Sequence, residues 1–374
     1  MPDPVLSTRQ LNRTLLERQL LLRRSPLPVA AAVEHLAGMQ CQEPPAPFYG
    51  LWSRLERFDP AELVRLLEEH AVLRTTLMRA TLHLTSADDF LAWRPMHQAM
   101  LEKRFAGSGF MKQLDGLDVR DVVAAGRAAL AQTPGTTASL GRALAERWPD
   151  HDRNALAYAV RFIVPLAQLP PRGTSLERQG GRAVVAPVEE LLGRPLAAET
   201  APDALLLRYL AAFGPASVAD MRLWSGLPGL AAAVDRLRPR LRTFRDERGR
   251  ELLDLPDAPI ATGEEPAPPR FLPWFDNILL GHDDRSRVMP YGHRLGVVGG
   301  SAFVLVDGFA RATWRIERTP EVATLHVQPL EPLGDTAGIE AEGERLLAFA
   351  APLADRREVV VHSIEGSLTR SQAE

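Results

Sequence analysis

The sequence predicts an α+β fold in which three tandem winged-helix units precede a small antiparallel, barrel-like C-terminal β domain. Three observations predict it. Two or three short helices followed by a β-hairpin recur three times along the 374 residues. A Pro-rich stretch at 256–273, PDAPIATGEEPAPPRFLP, ends the repeats. Beyond it, SAFVLVDGFARATWRI alternates as a hairpin turning at Asp307-Gly308. The units are expected at 1–115, 116–200 and 201–262, with the β-rich domain at 263–374.

In the first unit, residues 7–24 carry apolar side chains at helical spacing, and 28–41 read as a second helix. A third opens at Asp59-Pro60-Ala61-Glu62, with Asp as N-cap and Pro at the first helical position. Residues 72–85 are apolar and β-branched enough to read as strand, and Ser86-Ala87-Asp88-Asp89 resembles a capping box opening another helix. The second unit reads as helices near 118–132, 137–147 and 152–165. A strand pair follows at 166–170 and 182–187, joined by PPRGTSLERQGG. In the third, helices cover about 202–213, 217–225 and 229–238. Ser217 and Asp220 cap the middle one, and Gly226-Leu227-Pro228-Gly229 turns the chain. Strands 241–245 and 251–255 then flank a wing, Asp246-Glu247-Arg248-Gly249. Helices closed by a two-stranded wing form the winged variant of the helix-turn-helix motif. The last domain adds a strand at 322–330, a helix near 337–351 and a final strand, REVVVHSI.

A net charge of -3 excludes a globally basic nucleic-acid binder, so any DNA-binding face must be a local basic patch. Lysine occurs only at Lys103 and Lys112; the arginine-rich remainder follows a composition typical of GC-rich coding and is not evidence of phosphate recognition. Cys41 is the only cysteine, which excludes an internal disulfide and a cysteine-based zinc site. No HxxxH or HxH pair suggests a metal, and no GxGxxG or GxxxxGK[ST] loop cradles a nucleotide, so no cofactor is expected. The N-terminus lacks the apolar core of a signal peptide and no run reaches membrane-spanning length, so a cytoplasmic protein is expected; it is read separately as a monomer.

The most informative stretch is GMQCQEPPAPFYGLWSRL, at 38–55. Glu43 and Pro44 both precede a proline and are pushed out of helical geometry, which predicts that the helix ends near Cys41 or Gln42. In an extended segment residues two apart face the same way, so Gln40 and Gln42 are expected to project together with Cys41 packed behind them. Spacing alone is weak evidence for such a pair, because glutamines at a helix end are usually solvated.

Around that pair the chain resembles the AlkZ/YcaQ-like DNA glycosylases, tandem winged-helix proteins with a catalytic QxQ or QxD motif. The matching residues are Gln40-Cys41-Gln42, MRATLHLTSADDF at 78–90 and GPASVADMRLWSGL at 214–227. LPWFDNILLGHDDRSRV at 272–288 and LVDGFARATW at 305–314 complete the set in family order. The resemblance implies removal of N7-alkylated purines from double-stranded DNA, including bulky natural-product adducts and interstrand crosslinks, as in self-resistance of an antibiotic producer. The sequence is similar to the QxQ branch, whose amide replaces the carboxylate of the QxD branch and leaves a conventional general base in doubt.

The chemistry suits amides. An N7-alkylated purine is already cationic and leaves readily, and the sugar passes through an oxocarbenium-like state. What remains is to align a water and to set dipoles against the developing charge, which two amides can do. Gln40 and Gln42 are therefore the expected catalytic pair, with Glu43 either a general base or turned to solvent. Arg79, His83 and Arg172 are candidate DNA contacts, although a lone His in an apolar strand such as His83 is more often a satisfied core residue. Arg285 and Arg287 either clamp phosphates or pair with Asp283 and Asp284. No lysine lies near the motif to form a Schiff base, so an abasic site without strand cleavage is expected. The competing reading is a non-catalytic tandem winged-helix regulator, which would bind one duplex sequence and have no use for the glutamines.

Overall fold

A computed structural model describes residues 3–176, 182–289, 300–319 and 321–364. The first helix, Thr8–Arg18, starts where Ser7 and Gln10 form a reciprocal capping box. It stops well short of residue 24, because Leu20 adopts a left-handed backbone and turns Leu21 and Leu22 into the core. Helix Pro60–Glu68 opens as its sequence predicts, with the Asp59 carboxylate accepting from Ala61 N–H. A helix unforeseen from the sequence, Ala46–Arg54, follows directly on the proline pair.

The expected helix over 28–41 is shorter. It spans Val29–His35 and ends in a left-handed turn at Ala37 and Gly38, whose amides return to the carbonyls of Glu34 and Val33. The Ala-Gly pair breaks the helix, not the prolines that follow. Met39–Gln40 is thereby freed to become a short strand.

That strand is the edge of a six-stranded sheet. Its order is Met39–Gln40, Leu82–Ser86, Val72–Thr76, Leu166–Gln168, Val184–Pro187 and Gly135–Thr136. The hairpins of the first two units thus share one antiparallel sheet, with Arg74 opposite Gln168 across the seam. Between them run the long helix Ala87–Ala106 and helices Val119–Gln132, Thr137–Arg147 and Arg153–Ile163.

The third unit has helices Asp203–Phe213, Val218–Ser225 and Ala231–Leu237. The Ser217–Asp220 capping box forms as expected. Its wing, Arg242–Asp246 and Glu251–Asp254, gains a third strand from the N-terminus, since Val5–Leu6 pairs parallel to Arg242–Asp246. The C-terminal sheet orders Arg270–Leu272, Ala302–Val306, Phe309–Arg318, Val322–Pro329 and Arg356–Val361. The barrel-like expectation is corrected here: among the described residues the two outer strands do not meet, and the sheet is open. The last strand is also parallel to its neighbour, because it returns through the crossover helix Ala337–Ala350.

One apolar cluster runs through the first unit, the third unit and the C-terminal sheet, joining Leu15, Leu77, Trp224 and Phe303. Buried ion pairs stitch the same interface. Arg18 meets Asp254 at 2.7 Å, and Arg54 meets Asp276 through two bonds of 2.8 Å.

His83, His97 and His282 are buried as well. Burial pushes His97 down to about 4 and, with the Arg287 charge beside it, His282 to about 3; burial and Arg79 hold His83 well below 6.5. Each ring stays neutral when folded, whereas the unfolded chain takes up protons near pH 6.5. The unfolded state then binds more protons, so stability is full above pH 6.5 and is lost as the pH falls toward these depressed values. The His97 ring is expected to cost roughly 2 kcal/mol by pH 5, and the other two act in the same direction. Urea midpoints measured at pH 7 and pH 5 check this, and equal midpoints would contradict it.

Candidate active site

The site is built on the edge of the six-stranded sheet. Gln40 pairs with His83 across the ladder, and the Cys41 amide continues it to the Leu82 carbonyl at 2.8 Å. Strand alternation sends Met39 and Cys41 into an apolar cluster behind and leaves Gln40 and Gln42 on the opposite side. Cys41 is completely enclosed, and burial raises its thiol to about 11, so it is a packing residue and not a nucleophile.

The two amides lie in different surroundings. Gln42 is exposed, and its Oε1 accepts from the Leu82 amide at 3.2 Å. Gln40 is only 7% exposed. Its Oε1 accepts from Arg79 Nη2 at 2.7 Å, and its backbone amide donates to Asn277 Oδ1 at 3.3 Å. Because both partners are donors, the facing atom of each side chain must be its oxygen, which fixes the amide orientation. Asn277 is itself held by the Gly38 carbonyl at 2.9 Å.

Gln42 opens onto a cleft of about 820 Å³ between the first and second units. Arg74, Arg161, Arg172 and Arg182 line it, and no carboxylate is among its described lining residues. Here is the local basic patch that an acidic chain requires. Arg74, at 1% exposure, forms part of the floor. Its Nη2 donates to the Cys41 carbonyl at 3.2 Å and its Nη1 approaches the Pro44 carbonyl at 3.5 Å, bracketing Gln42. Gly173, with φ +87°, lies so close that a Cβ there would sit 2.6 Å from Arg74 Cδ. That contact brings the loop bearing Arg172 against the same arginine. Phe110 and Tyr158 stack on the cleft wall with centroids 4.2 Å apart.

The remaining candidates are scattered. Glu43 is partly buried, does not line the cleft, and accepts the Ala46 amide through its carbonyl at 3.1 Å. Arg79 is partly buried: it donates to Gln40, to the Trp224 carbonyl and, at 3.3 Å, to His83 Nε2. Desolvation lowers Arg79 to about 10. His83 Nδ1 faces the Thr81 carbonyl at 3.0 Å, which makes it the proton-bearing nitrogen and Nε2 an acceptor. Its core reading is the one the fold realises. Arg287 is buried against the Pro215 carbonyl at 3.0 Å, and neither it nor Arg285 lines the cleft. Asp284 pairs with Arg248 and Arg250 of the third wing.

Sequence reading missed Arg74, Arg161, Arg182 and the Phe110–Tyr158 stack. A signal existed for Arg74, a charge inside a strand of β-branched and apolar residues, which is seldom buried without a task. The aromatic pair gave none, being 48 residues apart in sequence (158 − 110). Among the described residues no cluster of His, Cys, Asp or Glu is able to hold a metal ion, and no helix is long and apolar enough to cross a membrane.

Two of the winged-helix units share a sheet beside an arginine-lined cleft that Gln42 lines and Gln40 does not. The chain belongs to the AlkZ-like DNA glycosylase family, which it matches over residues 33–349. Among solved structures it is similar to Streptomyces sahachiroi DNA glycosylase AlkZ, at 20% identity with a TM-score of 0.77. That likeness covers 96% of this chain and 100% of the other, and it establishes the fold. No curated protein sequence matches.

Proposed function

We propose that this glycosylase hydrolyses the N-glycosidic bond of N7-alkylated purines in double-stranded DNA, bulky adducts and crosslinks included, and leaves an abasic site. The observation that carries the reading is the Gln42 amide, held by the Leu82 N–H at the edge of a cleft whose described lining residues include no carboxylate. No described lining group is a strong base. Such a site suits a substrate whose leaving group is already activated, and an alkylated purine meets that condition.

In this reading the C1′–N9 bond breaks first, its electron pair returns to the cationic base, and the base departs neutral. A water aligned by Gln42, with Gln40 behind, adds to C1′ of the oxocarbenium-like sugar. The adding water becomes strongly acidic and loses its proton to solvent, so an amide that cannot take a proton suffices. Arg74, Arg161, Arg172 and Arg182 supply the electrostatic attraction to the backbone. The roomy cleft and its aromatic wall favour an adduct with a planar appendage. Stacking of the lesion on this aromatic pair without full base flipping is part of the proposal.

The test is incubation with duplexes carrying N7-methylguanine or a bulky N7-guanine adduct, scoring abasic sites by alkaline cleavage. Release from alkylated duplexes and none from unmodified DNA is expected; equal action on unmodified DNA would sink the substrate reading. The single-turnover rate should also stay flat between pH 6 and pH 9, because an amide neither gives nor takes a proton there. A rate that changes with pH across that range would instead point to a general base.

A further inference from the structure

The turn of the first hairpin holds a combination that its own backbone does not require. Arg79 and Ala80, at φ 56° and 57°, both occupy the left-handed region, where glycine is the unstrained choice. Glycine is instead found across the contact. Gly226 ends helix Val218–Ser225 with φ +75°, and a Cβ on it would lie 2.9 Å from the Arg79 amide nitrogen. The third unit's helix therefore packs its end directly on the Arg79 backbone.

The Arg79 guanidinium then bridges two units. One nitrogen donates to the Trp224 carbonyl, among the last of that helix and without an intrahelical partner. Carbonyls there carry the negative end of the helix dipole, a suitable seat for a cation. The other donates to Gln40 Oε1 at 2.7 Å and lies 3.3 Å from His83 Nε2. None of these bonds goes to a carboxylate, in contrast to the buried Arg18 and Arg54. With its oxygen held in this way, Gln40 cannot flip, and its NH2 group is turned away from Arg79.

We propose that Arg79 is a positioning residue: anchored on the third unit's helix end and on His83, it locks the Gln40 side-chain amide in one orientation. The proposal rests on the reading of Gln40 as part of the catalytic pair. A phosphate contact by Arg79 is the competing role. The two differ in what lysine can do, since a single ammonium replaces a phosphate contact but not a planar fork serving three acceptors.

The test uses the full-length protein with Arg79→Gly and Arg79→Lys. Glycine suits the left-handed backbone, so that variant is expected to fold, which a thermal melt verifies. Positioning predicts that both variants lose about 100-fold in kcat on alkylated duplex. KM and the salt dependence of binding should stay within about threefold. The 15N–1H side-chain amide signals of Gln40 should move toward those of a free glutamine amide. A loss confined to KM, a shallower salt dependence and recovery with lysine would establish the phosphate contact and overturn the proposal. Unmoved Gln40 signals in Arg79→Gly would overturn it as well. A wild type inactive on every alkylated duplex, with Gln40 signals that still shift in Arg79→Gly, would sink the substrate reading and leave the positioning role standing.

Discussion

Gln42→Ala is expected to cut base release from an alkylated duplex by about 100- to 1,000-fold, the scale seen when one oriented polar group is removed from a reacting centre. Its fold cost should be small. The Gln42 side chain is exposed and its recorded bond, to Leu82 N–H, is at the surface, where solvent can replace it. Duplex affinity should change little, because Arg74, Arg161, Arg172 and Arg182 remain. Single-turnover kinetics beside a binding titration and a thermal melt read all three quantities. Undiminished release would remove Gln42 from the mechanism. Gln40→Ala makes a useful contrast: it deprives the Arg79 guanidinium of an acceptor, so it should lower stability as well as rate.

Asp276→Ala is expected to destabilise the protein by about 3–5 kcal/mol, because it leaves the Arg54 guanidinium buried without its counter-charge. Both residues are enclosed and meet through two bonds of 2.8 Å. Arg54 also donates to the Gln19 and Gly50 carbonyls, so it cannot swing out to water without breaking those bonds. Asp276 further caps the short helix Asn277–Leu280, whose first residue holds the Gln40 amide. The damage should therefore reach the catalytic segment. Replacing both members by apolar residues, Arg54→Met with Asp276→Leu, should recover much of the loss, since a buried pair seldom outdoes a well-packed apolar one. Urea unfolding of the single and double variants decides it. A single-variant cost below about 1 kcal/mol would mean that the pair is effectively solvated.

The chain spells out its local decisions. Ser7, Asp59 and Ser217 cap the helices they precede, and Asp307-Gly308 turns the hairpin, because each choice depends on side chains within a few residues. The extended Gln40-Cys41-Gln42 segment, with its cysteine inward, was legible from period-two alternation. What ends the preceding helix was misread: proline is the louder signal, yet the left-handed turn at Ala37-Gly38 acts first.

Only tertiary structure decided the rest. The cleft exists because strands Val72–Thr76 and Leu166–Gln168 happen to share an edge, and no local pattern specifies which edge meets which. It likewise set Arg79 on a carbonyl 145 residues away and Arg287 inside the fold in place of the surface. Capping, turns and alternation are short-range energies written in neighbouring residues. The partners of a buried charge are chosen by how whole layers pack, and that choice is made only once the chain has closed upon itself.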